Sequence, residues 1–113
     1  MNTETLRQLI ASCRRKDRRF LGFPRDWNPS RIKNPEIEGF YFTESSAWEL
    51  IADKLEAKHP YDEVRLDSPP GALALVMKIQ LVAEEPLLYV KVQLGVGNKA
   101  IGRSFHYSDQ YKG

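Results

Sequence analysis

Three stretches decide the fold: ALALVMKIQLV (residues 72–82), LLYVKVQL (residues 87–94) and AIGRSFHY (residues 100–107). Their apolar residues recur with a period of two, the pattern of strands that bury one face. In the first, Leu73, Leu75, Met77, Ile79 and Leu81 share one face, and Ala74, Val76, Lys78, Gln80 and Val82 the other. In the second, Leu88, Val90, Val92 and Leu94 oppose Leu87, Tyr89, Lys91 and Gln93. In the third, Ile101, Phe105 and Tyr107 mark the core face and Gly102, Ser104 and His106 the open one. Arg103 falls by parity among the core positions, so it either snorkels at the sheet edge or is turned toward the open face by a bulge. The links around Glu84-Glu85-Pro86 and Gly97-Asn98 are short, and parallel neighbours need long crossovers, so these strands form an antiparallel meander. Residues 64–66 add a short strand before a turn at residues 67–71.

Upstream the period changes. Leu6, Leu9, Ile10 and Cys13 lie on one helical face, with Asn2 or Thr3 as cap and Glu4 in the first turn. Cys13 reads as a small buried hydrophobe on that face. Residues 20–41 hold Pro24, Pro29, Pro35, Gly22 and Gly39 and show no period, which predicts an irregular connection whose aromatic residues pack over the core. A second helix follows, capped by Thr43 or by Ser46 with Glu49, with Trp48, Ile51, Ala52 and Leu55 on its apolar face and Pro60 beyond its end. The expectation is a single α+β domain over residues 1–113: N-terminal helices packed on one face of a small curled antiparallel sheet, with Trp48, Ile51 and Leu55 against Val90 and Val92.

The composition sets further bounds. The chain has 113 residues, 42% of them hydrophobic and 28% charged, values of a folded single domain. One cysteine excludes an internal disulfide and a multi-cysteine zinc site. No apolar run is long enough for a membrane helix, and the polar start Met1-Asn2-Thr3-Glu4 carries no secretory signal, so the expected compartment is the cytoplasm. The net charge of +2 is unevenly spread, with +6 on residues 1–35, −6 on residues 36–67 and +2 on the remainder. The basic third, with Arg14, Arg15, Arg18 and Arg19 at its centre, either meets phosphates or an acidic partner, or faces the acidic segment within the fold.

With helices on the apolar face, the other face gathers Lys78, Gln80, Tyr89, Lys91, Gln93, Ser104 and His106 and no carboxylate. Such a surface attracts a phosphodiester and can hydrogen-bond or stack bases. RNA cleavage needs a base for the 2′-hydroxyl, cations on the phosphate and an acid for the leaving oxygen. His106 is the proton-transfer candidate, because an imidazole ordinarily titrates near neutrality. Tyr89 is assigned to positioning the RNA, with Lys91 or Arg103 on the phosphate. An ordinary solvated sheet face would also carry Lys, Gln and Tyr. Neither a Walker loop, a glycine-rich dinucleotide turn nor a His-Glu-x-x-His motif is present. His59 and His106 stand far apart in sequence, and no cofactor or metal is expected.

The segments Thr43-Glu44-Ser45-Ser46-Ala47-Trp48, Tyr61-Asp62-Glu63-Val64, Leu88-Tyr89-Val90-Lys91-Val92-Gln93 and Ser104-Phe105-His106 resemble, in that order, the motility quorum-sensing regulator (MqsR) type of toxin within the wider RelE-like group of bacterial ribonuclease toxins. The resemblance covers roughly residues 43–107. It implies a RelE/MqsR-like fold and an endoribonuclease that cleaves messenger RNA without metal, held inactive by a cognate antitoxin protein. Carried over, the Tyr-x-Lys tyrosine is Tyr89, and the basic residue after Ser-Phe is His106, where those toxins more often have lysine. Glu49 and Asp62 depart from the lysine and glutamine of the pattern, and Lys54 or Lys58 would stand in for the former. The alternative is a catalytically silent RNA- or protein-binding module on the same fold.

Overall fold

The computed structural model describes residues 1–22 and 24–108. Helix α1 (Thr3–Arg14) starts at Asn2, whose side chain accepts from the Thr5 N–H at 2.7 Å. A three-residue strand β1 (Arg19–Leu21) follows, and then an irregular run to helix α2 (Glu44–Glu56). Thr43 caps α2 in a reciprocal box with Ser46, so the first of the two expected caps is the one used. Strands β2 (Asp62–Arg65), β3 (Leu73–Ile79), β4 (Leu88–Leu94) and β5 (Ala100–Tyr107) follow.

The α+β class holds, but the sheet is mixed. Its order is β1-β5-β4-β3-β2. β2 to β5 form the expected antiparallel meander, whereas β1 runs parallel to β5, with Arg19 opposite Ala100 and Leu21 opposite Gly102. The wholly antiparallel expectation is therefore corrected. A three-residue strand is too short to show a period, and its partner lies at the far end of the sequence.

Both helices cover one face. Trp48, Ile51 and Leu55 share a buried cluster with Leu9, Cys13, Leu75, Met77, Val90, Val92 and Phe105, so the parity assigned to β3 and β4 holds. Of the aromatic residues expected to pack over the core, Trp27 does so, Phe20 is 47% exposed, and Phe23 lies outside the described residues. Trp27 lies 5.0 Å from Trp48 and 5.5 Å from Phe105, ring centre to ring centre. The Glu44 carboxylate accepts from both indoles, Trp27 Nε1 at 2.9 Å and Trp48 Nε1 at 2.7 Å. A bridge between Trp27 and Phe105 continues the cover along β5 beyond β1. Ser12 joins α1 to the sheet: its hydroxyl accepts from the Ala100 N–H at 2.9 Å and donates to the Arg18 carbonyl. No helix among the described residues is long and apolar enough to cross a membrane.

Candidate functional site

The face of the sheet away from the helices takes its side chains from the strand register, since residues paired across strands share a face. One row runs Lys78, Tyr89, His106; the next runs Asp62, Val76, Lys91, Ser104; a third runs Val64, Ala74, Gln93, Ile101, Phe20. Tyr89, Lys91 and His106 are thus brought together as the alternation predicts. The Tyr89 and His106 rings stack at 5.5 Å and 24°, and Lys91 Nζ lies 5.9 Å from the centre of the Tyr89 ring.

A bulge in β5 rearranges the rest of that strand. Lys91 faces Ser104 and Val92 faces Gly102, which leaves Arg103 with no residue opposite. The extra residue resets the parity. Ile101 pairs with Gln93 on the open face, and Gly102 faces the core, where an added Cβ would lie 2.8 Å from the Trp27 ring. The sequence assignment had these two reversed. The bulge also settles Arg103, whose guanidinium lies over the open face, donating to Gln93 Oε1 at 3.1 Å and to the Ser68 carbonyl at 3.2 Å. A glycine inside an otherwise regular strand, next to an arginine of the wrong parity, is the sequence signal that marks this bulge.

A groove of about 380 Å³ follows this surface, lined among others by Val64, Asp67, Val76, Tyr89, Lys91 and Arg103. A second, of about 370 Å³, adjoins it at Val76 and is lined by His59, Asp62 and Lys78. The open face therefore does carry carboxylates at its β2 border, against the expectation of none. Asp62 enters because β2 begins two residues earlier than the sequence suggested. In each histidine Nδ1 is engaged by a backbone carbonyl, His106 with Tyr107 O at 2.9 Å and His59 with Pro60 O at 2.8 Å. A carbonyl oxygen only accepts, so in a neutral ring this contact is made by the tautomer whose Nδ1 carries the proton.

Several expected contact residues are placed elsewhere. Gln80 lies beyond the end of β3 and its amide ties the following turn, donating to Val82 O at 2.7 Å and Glu85 O at 2.8 Å. Gln93 and Ser104 are on the open face but only 8% and 6% exposed, so they support the surface more than they offer contacts. Arg14 is directed at α2, where Glu49, Asp53 and Glu56 all pair with it. Here the basic and acidic segments do face each other. Arg15 pairs with Asp17 at 3.0 Å, and Arg19 donates to Cys13 O at 2.9 Å and Ser45 Oγ at 3.3 Å. Arg18 ends the short helical turn Lys16–Arg18 that leads into β1. Burial raises the Cys13 thiol from its usual value near 9 to about 12, with Arg19 and Arg14 opposing weakly, which suits a packing role. Among the described residues no three His, Cys, Asp or Glu side chains gather as a metal-holding group.

No protein-family model, no curated protein and no solved structure matches the chain.

Proposed function

We propose that the open face binds single-stranded RNA and cleaves it by proton transfer through His106, as an endoribonuclease of the RelE/MqsR-like toxin kind. The observation that carries this reading is the juxtaposition of His106, its Nδ1 held by the Tyr107 carbonyl, with the stacked Tyr89 ring and the two cations Lys91 and Arg103. Nε2 takes the proton of a 2′-hydroxyl whose oxygen attacks the adjoining phosphorus. Lys91 and Arg103 offset the charge that develops on the phosphoryl oxygens. Tyr89 holds a base by stacking. The P–O5′ bond breaks, the leaving oxygen takes a proton from solvent, and the products are a 2′,3′-cyclic phosphate and a 5′-hydroxyl end. An antitoxin protein is the partner such an activity requires in the cell.

Incubating the protein with a mixed-sequence RNA oligonucleotide in EDTA, beside its 2′-deoxy counterpart, tests the chemistry. Cleavage of the RNA alone, with cyclic phosphate ends, is expected. His106→Ala should lower the rate by about 10²–10⁴-fold with the fold unchanged. RNA binding that weakens with salt but never leads to cutting would identify the silent binding module instead. Growth arrest on induction, relieved by the product of an adjacent reading frame, would assign the toxin–antitoxin pairing.

A further inference from the structure

The outer edge of the sheet at β1 combines features that the open face does not use. Among the described residues β1 is the terminal strand of the sheet, paired on one side only. The Gly22 N–H donates to Gly102 O toward β5. Backbone groups alternate along a strand, so the N–H and C=O of Leu21 are directed away from the sheet. Phe20 and Leu21 are 47% and 43% exposed, a pair of large apolar side chains on opposite faces of one edge.

The surrounding charge selects the occupant. Lys99 Nζ lies 5.5 Å from the centre of the Phe20 ring, and Lys16 and Arg19 line a groove of about 280 Å³ with Phe20, Leu21 and the start of α2 at Glu44. Arg15 and Arg18 precede the strand, and Arg25 follows it. Three carboxylates are close in sequence or space: Asp17, paired with Arg15; Glu44, held by two indoles; and Asp26. A second copy of this chain would bring the same cations against themselves. A nucleic acid has no row of amide groups with which to pair an outward backbone and uses little of Leu21.

We propose that the β1 edge takes up an extended, acidic peptide segment of a partner protein as a sixth strand, its apolar side chains set against Phe20 and Leu21 and its carboxylates against Lys16, Arg18 and their neighbours. Main-chain pairing supplies affinity in such strand addition, and alternate side chains supply specificity. This proposal is independent of RNA cleavage and holds whether or not the open face is catalytic.

The test uses a fluorescein-labelled eight-residue peptide alternating glutamate with valine, titrated with the full chain and followed by anisotropy. Saturable binding is expected, weakened tenfold or more in the triple variant Arg15→Glu, Lys16→Glu, Arg18→Glu, whose circular dichroism should match the parent. A strand pairs through one edge only. N-methylation of the peptide at odd positions or at even positions should therefore abolish binding in one set and spare it in the other. Equal binding of the two methylated peptides would reduce the site to charge alone and overturn the proposal. So would absence of saturable binding, unchanged affinity in the triple variant, or binding of single-stranded RNA at this edge in place of the peptide.

Discussion

Gly102→Ala places one methyl group where β5 passes beneath Trp27. The new Cβ would lie 2.8 Å, 2.9 Å and 3.0 Å from three carbon atoms of that indole, distances at which something must move. The ring has little room to retreat, because Trp48 and Phe105 pack against it and its Nε1 is bound to Glu44. Overpacking of this kind costs about 1–3 kcal/mol. Alanine recovers about 0.4–1 kcal/mol by narrowing the unfolded ensemble. The net loss should be about 1–2 kcal/mol, or roughly 4–8 °C in Tm for a chain of this size. Urea unfolding followed by tryptophan fluorescence measures it, and the m-value should stay constant. Trp27→Phe removes part of the obstructing ring, so the double variant should be less destabilised than the sum of the singles by about 1 kcal/mol. A Gly102→Ala protein as stable as the parent, or singles that simply add, would refute the close packing of Trp27 on β5.

Arg14→Gln should destabilise by about 1 kcal/mol, since it leaves Glu49, Asp53 and Glu56 facing one another on α2, and the loss should shrink in 1 M salt. Equal losses at low and high salt in urea titrations would contradict the charge account. Cys13 should resist iodoacetamide at about pH 8 until the protein is unfolded. Between its usual value near 9 and the native value of about 12, the unfolded chain releases a thiol proton that the native state keeps. This contribution should therefore lower stability as pH rises through that window and be absent below it, as unfolding curves taken across the range will report.

What was legible in the sequence follows from the length of each signal. The faces of β3 and β4 were readable because seven-residue strands repeat their alternation, and Leu75, Met77, Val90 and Val92 all enter the core. Trp48, Ile51 and Leu55 were readable at helical spacing for the same reason. The grouping of Tyr89, Lys91 and His106 followed from parity alone. The bulge at Arg103 breaks parity, so Ile101 and Gly102 exchanged faces and the arginine was turned onto the open face. β1 and the Asp62 border escaped because neither a three-residue strand nor a strand start carries a period. The acidic fork around Arg14 was visible only as complementary charge blocks, and which arginine would meet which carboxylate depends on the crossing of two helices.

The placement of β5 between β1 and β4 has a kinetic consequence. The meander from β2 to β5 can form by closing short loops, but β1 can join only across a separation of roughly 80 residues, an entropic demand that local contacts do not reduce. Trp27 is in the same position, because its strand-like bridge is to Phe105. During synthesis β1 and Trp27 therefore wait until the strand that receives them has been made. Docking of this N-terminal arm is the step that converts a hairpin-built half-sheet into the finished protein, and its rate is set by chain topology more than by the strength of any single contact.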